Sequence, residues 1–323
     1  MKEFGVDEFA EMAELMRRPF HENYFAMYSS VHGGIVTDPV LMTMPADDHL
    51  VHRGDGIFET MKSVNGRIYN MVAHLERLGQ SAEKLDLVLP ASIDDISRIT
   101  IDTVRASGKR DCSIRIMVSR GCGSFGVNPY DCPAAELYII VSGLKKPFMD
   151  DHPDGATMKT SAFVSKLPFF ASTKSCNYLL NVMMQKESVD AGVDFVVAFD
   201  ENGFMAEAPT ENVGIVTPDK ELLFPRHEGI LRGTTMIRAA ELAGSLVGAG
   251  VLAEVRFDDI TRAAVSGAEE ILIVGTTRNI IAVQEFDGTP VGRGADGVVF
   301  SRLSTLLLSD IHENPDMQTV VFD

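Results

Sequence analysis

Apolar residues recur along the chain with two different periods, which separate predicted helices from predicted strands. Spacing of three and four residues predicts helices over 74–87, 92–108, 230–250 and 296–310. The helix over 92–108 begins with a capping serine, Ser92, and ends at Gly108. A further helix is predicted to follow Lys174 and to end near Gly192.

Runs of β-branched and aromatic residues predict strands over 113–121, 135–143, 158–164 and 270–275, with short strands and turns over 20–45. Two hairpins are predicted, over 194–208 with an Asn-Gly turn and over 211–225 with a Pro-Asp turn. Helices and hairpins follow one another without a regular strand–helix alternation. The pattern therefore predicts a mixed α/β fold of the α+β kind, and neither a doubly wound sheet nor a TIM barrel.

Residues 144–156, LKKPFMDDHPDGA, interrupt these elements with two prolines, a glycine and several charges. Such composition is typical of a linker, so the chain is predicted to have two halves. Residues 1–25 are predicted to be a helical extension, because their start reads as an acidic amphipathic helix and not as a signal peptide.

Composition narrows the possible partners. The formal net charge of −17 argues against nucleic acid and anionic membranes as general partners. No apolar run approaches the ~20 residues of a membrane span. The four cysteines form no CxxC pair, which is typical of reduced thiols in a cytoplasmic protein. No metal-ligand signature is present in the sequence, so no metal is expected.

Three features suggest a chemistry. Lys174 stands before an apolar helix, and two Gly-Thr-Thr stretches lie at 233–235 and 275–277. The first stretch opens a helix, whose N-terminal N–H groups suit a phosphate. No GxxxxGK[ST] loop is present, so a single phosphate on a small cofactor fits better than a nucleotide. A lysine amine with such a phosphate site points to pyridoxal 5′-phosphate (PLP).

PLP also needs a carboxylate against its ring nitrogen, and Glu207 in GFMAEAPTEN is the candidate. Each residue also has an ordinary structural explanation when taken alone. Glu207 fits an exposed turn carboxylate, Arg77 a solvated helix arginine, and Gly-Thr-Thr a common helix cap.

The motifs together, from about residue 28 to about residue 290, resemble the class IV, fold-type IV PLP-dependent aminotransferases. That family includes branched-chain aminotransferases, D-amino-acid transaminases and aminodeoxychorismate lyases. The matching motifs, in chain order, are HRGDGIFET (52–60), HLERL (74–78), TKSCNYLLNV (173–182), GFMAEAPTENVGIV (203–216), GILRGTT (229–235) and VGTT (274–277).

The resemblance implies roles for the matching residues. Lys174 is expected to form the Schiff base with PLP and to move the proton, Glu207 to pair with the pyridine nitrogen, and Tyr178 to lie near the ring oxygen. The residues expected to bind the phosphate are Arg77, Gly233, Thr234, Thr235 and Thr276.

On the substrate side, the resemblance places Phe58 and Arg115 at the pocket and gives Thr276 and Thr277 contacts to the substrate carboxylate. It further implies a small N-terminal domain (1–145), a linker (146–156) and a larger C-terminal PLP-binding domain (157–323). PLP is expected in the cleft between these domains, and the minimal assembly is expected to be a homodimer.

The branch of the family is open at this point. Lyases typically have Asn-Arg after the lysine, whereas this chain has Asn177-Tyr178, as transaminases do. The Arg-x-His carboxylate trap of bacillus D-amino-acid transaminases is missing, because Phe125 and Val127 occupy its place. The GVNP stretch and Arg115 are similar to branched-chain enzymes, and residues 28–60 look most like plant plastid-type D-amino-acid transaminases.

The resulting prediction is a transaminase that exchanges an amino group between an amino acid and a 2-oxo acid. The amino acid is either a branched-chain or aliphatic L-amino acid or a D-amino acid. One alternative is elimination of pyruvate from aminodeoxychorismate by the same Lys174. The other is an inactive PLP-binding homologue, against which the presence of both Lys174 and Glu207 argues.

Overall fold

The structure, a computed structural model, describes residues 2–323 and forms two sheets with flanking helices. The strands are β1 Tyr24–Ser29, β2 Gly34–Val36, β3 Gly56–Val64, β4 Arg67–Tyr69, β5 Cys112–Ser119, β6 Glu136–Ser142, β7 Ala156–Val164, β8 Phe195–Phe199, β9 Asn212–Val216, β10 Glu221–Pro225, β11 Glu254–Asp258, β12 Glu270–Gly275, β13 Asn279–Phe286, β14 Thr289–Pro290 and β15 Gln318–Val320.

The α-helices are α1 Phe9–Met16, α2 His49–Arg53, α3 Met71–Lys84, α4 Ile93–Ser107, α5 Phe148–Asp151, α6 Pro168–Ala171, α7 Leu179–Ala191, α8 Thr234–Gly248, α9 Arg262–Ser266 and α10 Val298–Glu313. Short 3₁₀ turns lie at Val6–Glu8, Pro19–Asn23, Pro39–Leu41, Pro129–Asp131, His227–Gly229, Gly294–Asp296 and Pro315–Met317.

The chain forms two compact units. The N-terminal unit comprises the residues up to Leu144, Ser175–Asn177 and Met317–Asp323, and the C-terminal unit comprises Lys145–Lys174 and Tyr178–Asp316. Residues 145–156 of the segment predicted as a linker therefore belong to the C-terminal unit, where they contain α5 and the start of β7. The predicted domain bounds themselves stay a prediction.

The N-terminal unit is built on a seven-stranded sheet in the order β15-β4-β3-β5-β6-β1-β2, and all of these neighbouring pairs are antiparallel. Successive strand residues face opposite sides of a sheet. Ile57 and Met61 of β3 therefore join one core, which also contains Leu75 and Leu78 of α3 and Ile96 of α4. This core face of β3 also carries Glu59, between Ile57 and Met61.

The C-terminal unit is built on a sheet in the order β11-β10-β9-β12-β13-β7-β8. The predicted hairpin over 211–225 is confirmed as the antiparallel pair of β9 and β10. Three neighbouring pairs are parallel, namely β7 with β8, β13 with β7, and β10 with β11. A helix connects the strands of two of these pairs, α7 between β7 and β8 and α8 between β10 and β11. The sequence pattern, which was interpreted as hairpins, did not predict these parallel crossovers.

The predicted fold class, a mixed α/β fold, is confirmed, and so are most of the predicted elements. Ser92 caps α4, since its hydroxyl accepts the Asp95 N–H at 3.1 Å, and Gly108 ends that helix with φ of 65°. Strand β3, the third strand of its sheet, was not predicted. Among residues 2–323, no helix is long and apolar enough to cross a membrane.

Candidate active site

Lys174 lies in an irregular segment between α6 and α7, five residues before α7 begins. Lys174 was predicted directly before a helix, whereas in the structure an irregular segment separates it from α7. The residue exposes 9% of its surface. The next two residues contact β3. Ser175 forms an isolated antiparallel β-bridge with Ile57, and the Cys176 N–H donates to the Gly56 carbonyl at 2.8 Å. A buried lysine is uncommon, because an ammonium loses its hydration on burial, and a specific role is one reason to keep it there.

Glu207 is half-buried and held at both ends. Its carboxylate Oε2 accepts the Leu231 N–H at 3.1 Å, and its carbonyl accepts the Ala198 N–H at 3.1 Å. Ala198 lies in β8, in which every residue is buried. The carboxylate is therefore fixed next to the segment that leads into the first Gly-Thr-Thr stretch.

The two Gly-Thr-Thr stretches, far apart in sequence, meet in the C-terminal unit. The Thr235 and Thr276 hydroxyl oxygens are 3.3 Å apart, and Thr234 and Thr235 are both buried. Gly233 precedes α8, and no side chain caps this helix. Two hydroxyls and a helix N-terminus together form a suitable surface for one phosphate group.

Gly233 is needed here for space. A Cβ at this position would lie 1.9 Å from the Asn212 Oδ1 atom. Asn212 cannot easily move away, because its Nδ2 donates to the Leu231 carbonyl at 2.9 Å and its backbone belongs to β9. Asn212 therefore packs against the turn that opens α8.

Tyr178, immediately before α7, has a lysine over its ring that the sequence reasoning missed. The Lys166 Nζ atom lies 4.6 Å from the ring centroid. Burial lowers the pKa of Lys166, while the negative charge of Glu207 acts in the opposite direction. Lys166 follows the end of β7, and Ser165 beside it donates its N–H to the Phe199 carbonyl at 3.0 Å. No motif in the sequence marks this lysine.

Arg77, in the N-terminal unit, is engaged by a fully buried carboxylate. Its Nε donates to Glu59 Oε1 at 2.8 Å and its Nη2 to Glu59 Oε2 at 2.7 Å. His74 Nδ1 lies 2.7 Å from the same Oε2. Burial pushes the Glu59 pKa up, but the charge and hydrogen bonds of Arg77 and His74 outweigh it and lower the pKa to about 2.

Glu59 and His74 were missed as well, although the sequence held a signal for both. Glu59 has the same strand parity as the core residues Ile57 and Met61, which places a carboxylate on a buried face. His74 stands one helical turn before Arg77, which places both side chains on one helix face.

Phe58 and Arg115 lie on the opposite face of this sheet from Glu59. Arg115 pairs with Thr60 across β3 and β5, and its guanidinium lies 5.7 Å from the centroid of the Phe58 ring. The structure therefore brings these two predicted pocket residues together. Their role in substrate binding stays a prediction.

The predicted site residues divide between the two units. The N-terminal unit contributes Phe58, Arg77 and Arg115. The C-terminal unit contributes Lys174, Tyr178, Glu207, Gly233, Thr234, Thr235, Thr276 and Thr277. Among the described residues there is no group of three or more His, Cys, Asp or Glu side chains that could hold a metal ion.

The chain is similar to proteins of one family. A family model described as amino-transferase class IV matches residues 56–286. The chain is 39% identical over 295 residues, 91% of its length and 78% of the relative's, to a chloroplastic D-amino-acid transaminase of Arabidopsis thaliana. It is 29% identical over 259 residues, 79% of its length and 87% of the relative's, to a putative branched-chain-amino-acid aminotransferase of Methanocaldococcus jannaschii.

Solved structures are similar in fold. A T.th. branched-chain amino acid aminotransferase with pyridoxamine 5′-phosphate aligns with a TM-score of 0.84 at 24% identity, covering 93% of this chain and 99% of that one. A hypothetical aminotransferase of Mycobacterium tuberculosis in a PLP-bound form aligns with a TM-score of 0.76 at 25% identity, covering 90% and 99%.

The buried Glu59 predicts a specific acid sensitivity. Its pKa of about 2 lies below the ordinary value of 4.5 that it regains on unfolding. The stabilisation is therefore complete above pH 4.5 and is lost as the pH falls toward 2, by roughly 3 kcal/mol. Urea unfolding should find Glu59→Gln less stable than the wild type at pH 6, with a gap that narrows markedly by pH 3. A gap that stays constant from pH 6 to pH 3 would contradict this electrostatic account.

Proposed function

This chain belongs to the class IV amino-transferase family, and on that premise we propose that it is a PLP-dependent transaminase that exchanges an amino group between an amino acid and a 2-oxo acid. The burial of Lys174 carries the proposal. This lysine occupies the family's lysine motif, exposes 9% of its surface, and is followed by backbone fixed against β3.

The residues of the C-terminal unit fit PLP. The paired Thr235 and Thr276 hydroxyls and the start of α8 suit its phosphate, and Glu207 supplies an oriented carboxylate for its ring nitrogen. In the proposal, Tyr178 lies near the ring oxygen. When bound, PLP supplies an electron sink for the carbon that loses its proton.

Lys174 would hold PLP covalently through its side-chain amine, and the same amine would move the proton that the substrate Cα loses. Only a neutral amine can accept a proton, and burial disfavours the charged form of an amine. Glu207 is proposed to keep a proton on the ring nitrogen, which a carboxylate anchored by an N–H can do without moving.

Phosphate binding is proposed for Arg77, Gly233, Thr234, Thr235 and Thr276. The substrate carboxylate is proposed to meet Thr276 and Thr277, with Phe58 and Arg115 lining the pocket. Main-chain amides and hydroxyls are suited to a carboxylate when no arginine trap is present.

We propose a D-amino acid as the first donor to test, because the Arabidopsis relative is a D-amino-acid transaminase and is 39% identical over 91% of this chain. A branched-chain L-amino acid is the second candidate, favoured by the Methanocaldococcus relative and by the branched-chain aminotransferase structures. The cytoplasmic location stays a prediction.

A homodimer is the proposed assembly, and α7 is its proposed contact. Its outer face carries Leu179, Val182 and Met183, which expose 69%, 58% and 38% of their surfaces. The short α6 adds Phe169 and Phe170, each 50% exposed. A helix that exposes several large apolar side chains is normally covered, and a second copy of the chain is the usual cover in homo-oligomers.

The first prediction of this function is spectroscopic. The purified protein with PLP should show a visible absorption band, which a suitable amino acid should replace with the shorter-wavelength pyridoxamine band and a 2-oxo acid should restore. D-alanine, L-alanine and L-leucine are added in turn. We expect D-alanine to act, and a response to L-leucine alone would assign the branched-chain activity.

Lys174→Ala should lose the visible band and the conversion, because the amine that binds PLP is gone. Two observations together would favour the lyase: amino acids leave the visible band of the wild type unchanged, and the protein releases pyruvate from aminodeoxychorismate without a 2-oxo acid. If the Lys174→Ala protein still performed the biological role of the wild type, the inactive PLP-binding homologue would be favoured. A Lys174→Ala protein with the wild-type band would contradict the proposal.

The second prediction concerns the phosphate site. Gly233→Ala should weaken PLP binding by at least about tenfold, because the added methyl collides with Asn212 and displaces the start of α8. Gly244→Ala in the same helix is the matched control, since nothing lies within 4 Å of its added Cβ. The control should retain PLP affinity and gain roughly 0.5–1 kcal/mol in stability. Equal PLP affinities in the two variants would remove Gly233 from the site.

The third prediction concerns assembly. Leu179→Glu with Val182→Glu should shift the protein from dimer to monomer in light scattering after size-exclusion chromatography, because carboxylates are costly to bury in an apolar contact. Val72→Glu on α3, where Val72 is 67% exposed, controls for the change in surface charge. A double variant that remains dimeric would place the contact elsewhere, and a monomeric wild type would contradict the dimer.

A further inference from the structure

Glu59 stands out among the groups to which the proposed function gives no task. It is fully buried, with 0% of its surface exposed, on the core face of β3. A carboxylate in an apolar core is costly unless it is both paired and hydrogen-bonded. Glu59 has both forms of compensation, and both come from α3.

The contacts fix the plane of the Arg77 guanidinium. Two parallel hydrogen bonds of 2.8 and 2.7 Å join its Nε and Nη2 atoms to the two Glu59 oxygens. Such two-pronged pairing restricts rotation about the last side-chain bonds. His74 Nδ1 lies 2.7 Å from Oε2 and holds the carboxylate from a second direction.

The chain makes this arrangement rigid. Glu59 lies in a strand that pairs with β5 over residues 56–63 and with β4 at residues 63 and 64. His74 and Arg77 lie one turn apart on α3, whose neighbouring residues Leu75 and Leu78 are in the core. Glu59 therefore holds the Nε–Nη2 edge of the Arg77 guanidinium, and both side chains extend from packed elements.

We propose that Glu59 and His74 are positioning residues for phosphate recognition: they fix the orientation in which Arg77 receives the PLP phosphate. This inference rests on the proposed function, in which Arg77 binds that phosphate. Neither residue is proposed to touch PLP. Glu59 reduces the net charge of the arginine site, so its value to the site would lie in orientation and not in added attraction.

The experiment compares PLP with pyridoxal, the same ring without the phosphate. Equilibrium dialysis against the full-length protein freed of PLP gives both affinities for the wild type and each variant. Arg77→Met and Glu59→Gln should each lower the affinity for PLP by about tenfold or more, the size of effect found when groups that orient metal ligands are removed. The affinity for pyridoxal should change less than about twofold in both.

Two further variants test orientation directly. The double variant Glu59→Gln with Arg77→Met should bind PLP no more weakly than Arg77→Met alone, since the two residues act as one unit. Glu270→Gln is the matched control, because Glu270 is another buried carboxylate, which accepts the N–H groups of Val299 and Phe300 at 2.9 and 2.7 Å. It should leave the ratio of the PLP and pyridoxal affinities unchanged, which separates general destabilisation from a positioning role.

His74→Gln keeps the test available if Glu59→Gln does not fold. It removes one of the contacts to the carboxylate and should lower PLP affinity by a smaller factor, again without changing pyridoxal affinity. The positioning role alone would be overturned if the ratio of PLP affinity to pyridoxal affinity fell in Arg77→Met but kept its wild-type value in Glu59→Gln and in His74→Gln. An unchanged ratio in Arg77→Met would overturn it together with the phosphate role of Arg77, and a wild type that binds no PLP would overturn the proposed function itself.

Discussion

The desolvation of one amine is the constraint on which this account depends. A lysine that exposes 9% of its surface has lost most of the water that stabilises an ammonium, so the protein must gain something from placing it there. The structure gives Lys174 a defined position. The residues after it are tied to the first strand residues of HRGDGIFET by a backbone hydrogen bond and a bridge. In the proposed transaminase, the gain is an amine held where it can bind a carbonyl and move a proton.

The proposed phosphate site follows from a second constraint, the absence of side-chain atoms at Gly233. Asn212 fills the space that a Cβ would need and binds the Leu231 carbonyl. Glu207 accepts the N–H of the same Leu231. One residue of the 229–235 motif is thus held by two residues of the 203–216 motif. The two motifs therefore meet at one turn, the turn before α8.

The sequence was sufficient to predict much of the fold, because helix caps and alternating strands are local signals. Ser92, Gly108 and Gly233 each mark a helix end that the structure has. The parallel pairing of β7 with β8 could not be predicted in this way, since it depends on how α7 packs and not on any turn. Strand β3 escaped prediction because Glu59, Thr60 and Lys62 interrupt its apolar pattern.

In the candidate site, too, the residues marked by local sequence signals were predicted and those placed by tertiary packing were not. Short motifs identified Lys174, Glu207 and the two Gly-Thr-Thr stretches, and the structure brings Thr235 to Thr276. Glu59 lies inside the HRGDGIFET motif, from which no role was predicted for it, and Lys166 lies in none of the motifs. Their surroundings are created by tertiary packing, through α3 in one case and through the end of β8 and the Tyr178 ring in the other.

The most direct test of the central claim is to reduce the PLP-loaded protein with sodium borohydride and to locate the modified residue by peptide mass spectrometry. The account predicts a single phosphopyridoxyl group on the peptide that contains Lys174. A modification that is absent there, or that is spread over several surface lysines, would contradict the role of Lys174 and with it the proposed activity.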